Sequence, residues 1–112
     1  MIEKIILDFL TEKLPVTISM ERLYNAGKYV LVEKTGGSKQ DHIPTSTVAI
    51  QSYGPSLYEA AELNEMVKEA MEDLIELDQV TRSEYVSDYN YTNPKRKEYR
   101  YQAVYSITYY RR

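Results

Sequence analysis

Asp41-His42 is the one place in this chain where a carboxylate adjoins an imidazole, the pairing that makes a general base in many hydrolases. That chemistry also needs a nucleophile and an oxyanion site. The sequence has no Cys, no second His and no nucleophile elbow, so Asp41 and His42 read as polar loop residues. Gly36-Gly37 has neither the following Lys-Ser/Thr of a P-loop nor the spacing of a dinucleotide fingerprint, and reads as a flexible strand exit. The carboxylates between residues 59 and 78 could attract divalent cations, but helical spacing disperses them along a face instead of closing a cage. No catalytic residue, metal ligand or cofactor contact is expected, and the chain reads as a non-enzyme.

The charges themselves are more informative. Residues 57–79 carry eight acids, Glu59, Glu62, Glu65, Glu69, Glu72, Asp73, Glu76 and Asp78, against Lys68 alone, a formal balance of −7. From residue 95 onward Lys95, Arg96, Lys97, Arg100, Arg111 and Arg112 stand against Glu98, a balance of +5. Opposite patches on one small domain suit head-to-tail association with a second copy, or they neutralise each other within one molecule. The basic residues lie among Tyr99, Tyr101, Tyr109 and Tyr110, and a basic groove with stacking aromatics binds single-stranded nucleic acid. The net charge of −3 and the lack of a nucleic-acid motif argue against that partner.

These residues must be held by a single domain, since 112 residues can build one core but not two. The organising stretch is a strand over residues 47–51, a Ser52-Tyr53-Gly54-Pro55 break and a long helix. Ser56 and Glu59 have the capping-box spacing, so the helix begins at or just after Ser56. Leu57, Ala60, Ala61, Asn64, Val67, Ala70, Met71, Leu74 and Ile75 recur at three- and four-residue spacing, carrying the helix to Leu77 with its acids on the outer side.

Ahead of it, Ile2, Ile5, Ile6, Phe9 and Leu10 mark a first helix over residues 2–13, which Leu14-Pro15 stops. Residues 16–20 alternate as a short strand, and residues 29–34 form a near-continuous apolar strand. Residues 35–46, with two glycines, Lys39 and Pro44 and no period, are expected to form a long mobile loop. Two strands follow the second helix, over residues 83–92 and 98–110, joined by the Asn93-Pro94-Lys95-Arg96-Lys97 turn. Simple alternation would put Tyr85, Ser87, Tyr89 and Tyr91 on one face. The predicted order is α-β-β-β-α-β-β, an α+β fold in which an antiparallel or mixed sheet of about five strands carries both helices on one face. The other face, rich in Tyr, Thr and Ser, is left to solvent or a neighbour. The longest apolar run falls far short of a membrane span, so no membrane partner is expected; with no Cys for a disulfide framework, a cytoplasmic setting is.

Six stretches carry a resemblance to a known family. Tyr29-Val30-Leu31-Val32-Glu33-Lys34-Thr35-Gly36-Gly37 is followed by Asp41-His42-Ile43, Ala49-Ile50-Gln51-Ser52-Tyr53-Gly54 and Ser56-Leu57-Tyr58-Glu59-Ala60-Ala61. Asp88-Tyr89-Asn90-Tyr91-Thr92 and Tyr99-Arg100-Tyr101-Gln102-Ala103-Val104-Tyr105 complete the series, which spans residues 14–110. It resembles small proteins of siphophage and prophage morphogenesis modules in Gram-positive bacteria, and among them tail terminators and tail-completion proteins. The resemblance implies a structural protein that caps the tail tube as a ring, commonly hexameric, and joins it to the head connector. It further implies assembly in the host cytoplasm followed by residence in the virion. Head-completion and connector-adaptor proteins are of similar length, and no motif transfers a role to a single residue. The surfaces it implies for assembly are the 35–46 segment, with Lys34, Lys39, Asp41 and His42, and the charged patches at Glu69, Glu72, Lys95, Arg96, Lys97 and Arg100. The acidic helix face of one copy would meet the basic Tyr-rich hairpin of the next.

Overall fold

The computed structural model describes residues 1–40 and 43–110, so Asp41, His42, Arg111 and Arg112 lie outside the described residues. The elements are α1 (Ile2–Lys13), β1 (Thr17–Ser19), β2 (Tyr29–Gln40), β3 (Ile43–Gly54), α2 (Leu57–Met71), a 3-10 turn (Leu74–Glu76), β4 (Val80–Asn90) and β5 (Tyr99–Tyr109). The expected α-β-β-β-α-β-β order is therefore the observed one. The strands form one mixed sheet in the order β1-β2-β3-β5-β4, with β1 parallel to β2 and every other pair antiparallel.

Both helices lie on the same face of this sheet because their apolar stripes have only that surface to cover. Ile2, Ile6, Phe9 and Leu10 of α1 and Ala60, Leu63, Val67, Ala70 and Met71 of α2 are buried with Val30, Val32, Val48, Ile50, Ala103, Tyr105 and Ile107 of the sheet. The predicted cap is present. Ser56 Oγ accepts from the Glu59 backbone N–H at 3.2 Å and donates to the Glu59 carboxylate at 3.0 Å. Gly54 makes the junction possible, since a Cβ there would lie 2.7 Å from the backbone nitrogen of Ala60.

Three expectations are corrected. Composition predicts a loop over 35–46, but the chain stays extended and paired through Gly36↔Thr47, Ser38↔Thr45 and Gln40↔Ile43, with one bulge between Lys34 and Gly36. The β-prone Ile43, Thr45, Thr47 and Val48 supply a partner for the glycines. Pro44 is tolerated because it stands one residue past Thr45↔Thr108, the last pair joining β3 to β5. The second helix stops at Met71 instead of running to Leu77, and Leu57 and Ile75, assigned to its core face, are exposed. Glu69, Glu72, Asp73 and Glu76 crowd carboxylates at the negative end of the helix dipole, where only Lys68 in the last turn and Lys13 beside Asp73 offset them, and a 3-10 turn takes over.

The third correction concerns β4. Its pairing passes from Tyr85↔Tyr105 to Ser87↔Val104, so Val86 is bulged out and the alternation reverses there. Tyr85 and Asp88 face the helices, whereas Ser87, Tyr89 and Tyr91 face the other way. No helix of the described chain is long and apolar enough to cross a membrane.

Candidate functional site: assembly surfaces

The face of the sheet away from the helices is only partly left to solvent. Tyr29 and Tyr53 are direct cross-strand partners, and their rings stack with centroids 4.5 Å apart and planes 6° from parallel. Leu31 is buried beside them and Leu23 closes the cluster from the segment preceding β2. Its backbone N–H donates to the Tyr29 hydroxyl at 3.2 Å. Burial raises the Tyr29 phenol above its ordinary range, partly offset by that hydrogen bond.

From this cluster a polar ladder runs across the strands. Tyr53 Oη donates to Gln51 Oε1 at 2.8 Å, Gln51 Nε2 to Gln102 Oε1 at 2.8 Å, and Gln102 Nε2 to Tyr89 Oη at 2.6 Å. Arg100 joins it by donating from Nη1 to Tyr53 Oη at 3.1 Å and from Nε to the Tyr91 carbonyl at 2.7 Å. Its guanidinium lies 4.6 Å from the Tyr91 ring centre. Arg100 is thus held as part of the sheet, unlike Lys95, Arg96 and Lys97, which are exposed on the turn between β4 and β5.

That turn is tied to the segment before β2 by an ion pair between Arg22 and Glu98. Between the two segments lies a groove of about 460 Å³ bordered by Arg22, Tyr24, Arg96, Lys97 and Tyr99. The acidic surface occupies the other layer. Glu62, Glu65, Glu69, Glu72 and Glu76 are exposed along α2 and the turn that follows. Lys28 lies 3.8 Å from Glu59, Lys68 2.9 Å from Glu65 and Lys13 3.7 Å from Asp73. Among the described residues no cation lies within 4 Å of Glu62, Glu69, Glu72 or Glu76.

A third cluster joins α2 to β4. Asp88 accepts from Asn64 Nδ2 at 2.7 Å, lies 3.1 Å from Lys68 Nζ, and accepts from the Tyr85 hydroxyl. Burial acts to raise the Asp88 carboxyl, but the hydrogen bonds from Tyr85, Lys68 and Asn64 outweigh it and hold the group below the usual carboxylate range. Hydrogen bonds to Glu65 and Asp88 raise the Lys68 ammonium, and the bond to Asp88 raises the Tyr85 phenol. Beside them Tyr105 is pushed up to about 12, chiefly by burial. A recess of about 380 Å³ opens here, bordered by Glu72, Ile75, Ser83 and Tyr85.

The expected surface residues are therefore dispersed. Lys34 is exposed on β2 with its ammonium end over Gly37, and Lys39 belongs to the same strand. Glu69 and Glu72 sit on the helix layer, Arg96 and Lys97 border the groove, and Lys95 is exposed on the same turn. Sequence reasoning missed the Asn64–Lys68–Asp88–Tyr85 cluster, although Asn64 on an otherwise apolar helix face was a signal that a buried polar partner had to exist. The Gln51–Gln102 ladder left no comparable signal. Among the described residues, no three His, Asp or Glu side chains converge as a metal site would require. Compared with protein-family models and with curated proteins, the sequence matches none.

Proposed function

We propose that this protein is a structural component of phage or prophage morphogenesis, of the tail-terminator or head–tail-joining kind, which assembles as a ring on the end of the tail tube. The observation that carries this reading is the charge layout. Glu62, Glu69, Glu72 and Glu76 form an exposed acidic surface without close cations among the described residues, on a domain whose exposed bases lie elsewhere. Unlike charges on different surfaces favour heterologous contact between copies, which closes into a ring when the rotation allows. Two basic surfaces are available for it, the Lys95–Arg96–Lys97 turn and the Lys34 end of β2. The remaining surfaces would meet the tail-tube protein and the head connector, first in the host cytoplasm and then in the virion.

Sedimentation and electron microscopy of the purified protein, with and without tail-tube protein, test this. Rings, alone or on tube ends, are expected. A strict monomer that never binds tubes and leaves their length unchanged would overturn the reading.

The groove between Arg22, Tyr24, Arg96, Lys97 and Tyr99 favours a second reading, binding of single-stranded nucleic acid by stacking on tyrosine beside cations. Retention of single-stranded DNA that weakens steeply with salt would support it, and no retention at low salt would remove it.

A further inference from the structure

The sheet has two unpaired edges. β1 covers β2 only at Tyr29, Val30 and Leu31, so over residues 32–40 the sole neighbour of β2 among the described residues is β3. Residues 33–38 are exposed. At the opposite end of the sheet the sole partner of β4 among the described residues is β5, and Tyr85 and Val86 are 53% and 57% exposed. Such rows of unpaired backbone groups are templates for another strand.

We propose that the ring subunits join through these edges, β2 of one copy adding to β4 of the next; the proposal rests on the ring reading above. Strand sense permits it. β2, β3, β5 and β4 alternate in direction, so copies related by rotation about an axis along the strands bring β2 alongside β4 antiparallel. Carried across the sheet, the register sets Ser38 level with Thr45, Thr108 and Arg82, and Gly36 level with Thr47, Ser106 and Glu84. Lys34 is level with Val48, Tyr105 and Tyr85. Copies placed without a step along the strands therefore set Ser38 by Arg82, Gly36 by Glu84 and Lys34 by Tyr85. Residues 82–85 are the part of β4 between its two bulges, where pairing is regular.

Two further features fit this contact. Lys34 shares the helix-side face with Val48 and Tyr105, so it would enter the neighbour's recess between Tyr85 and Glu72, adding a second cation to the one that Lys68 already presents there, beside an acid with no ion pair among the described residues. Gly36, in turn, adjoins the bulge of β2, yet neither its backbone conformation nor its surroundings require glycine. Its φ is not positive, and a Cβ there would meet only Thr47 Cβ at 3.9 Å, an ordinary contact. Glycine inside a strand marks places where another backbone comes close.

The absence of Cys gives a clean test. In one molecule Ser38 and Arg82 are three strand spacings apart, about 14 Å, beyond the reach of a disulfide. The double variant S38C/R82C, oxidised at high concentration or on tube ends, is expected to give a reducible ladder on a denaturing gel that ends at one closed species. Neither single variant should give more than sparse dimers. Lys34→Glu should weaken association about fivefold, and Glu72→Lys added to it should restore association, with circular dichroism and Tm unchanged. Rings without the ladder, insensitive to Lys34→Glu but dispersed by charge reversal at Lys95, Arg96 and Lys97, would overturn edge pairing and leave the ring reading standing. A ladder on a protein that never binds tubes would support edge pairing and overturn the terminator role. A monomer under every condition overturns both.

Discussion

The two faces of the sheet are built on different principles. On the helix side Val30, Val32, Val48, Ile50, Ala103 and Ile107 pack against two amphipathic helices, and burial of apolar area does the stabilising. On the opposite side nothing as large covers the strands. Order there comes from one stacked tyrosine pair, Leu31 with Leu23, and hydrogen bonds running from Tyr53 to Tyr89 through Gln51 and Gln102. The comparison teaches why twelve tyrosines suit this domain: a ring can lie flat on a thinly covered sheet while its hydroxyl enters a ladder.

The contrast can be broken most forcefully from the helix side. Ile50→Ala, at a site with no solvent exposure, is expected to lower the unfolding free energy by about 2–5 kcal/mol in denaturant titration. Leu31→Ala on the thinner face should cost about 1–2 kcal/mol less, because its surroundings can close over the space. Equal losses at the two sites would erase the distinction between the faces. Tyr53→Phe keeps the stack on Tyr29 but removes the hydroxyl that serves both Gln51 and Arg100, and about 1 kcal/mol should be lost. No loss would mean that water replaces the ladder at no cost.

The smallest effect belongs to the margin between the faces. Asp88 has its folded value below the ordinary 3.8, so its contribution is complete above pH of about 4 and drains away as the pH falls through the depressed value. In Asp88→Asn the decline of stability in that acid window should be shallower than in the parent, and an identical slope would place the anchoring elsewhere. On the surface, Glu69→Lys with Glu72→Lys should weaken self-association while changing stability by no more than about 0.5 kcal/mol.

The helix side was legible in the sequence because periodicity reports burial directly. The stripes of α1 and α2 and the Ser56 cap follow from spacing and from the identity of single residues. What escaped were features set by partners distant in the chain. The extension of β2 through Gly36 and Gly37 depends on Thr45 and Thr47 across the ladder, and local composition gives glycines no reason to be extended. The stopping point of α2 was hidden because apolar spacing continued past the place where carboxylate repulsion takes hold. Of the candidate surfaces, the charges were readable at once. The free edges were not, since an edge exists only once strand order is known.

The bulge at Val86 acts as a frame shift built into a strand. Ahead of it one parity of residues belongs to the helices, and after it the other parity does. Deleting that one residue would close the bulge, setting Ser87↔Val104 directly after Tyr85↔Tyr105 and leaving Asp88 and Tyr89 on the faces they now occupy; inserting one residue between Val86 and Asp88 would instead exchange those faces, sending the partner of Asn64 and Lys68 into solvent and driving a phenol under the helix. This edge can therefore lose one residue at the bulge without turning the Asp88 cluster over, whereas a residue gained beyond the bulge must be balanced by one lost within the same strand.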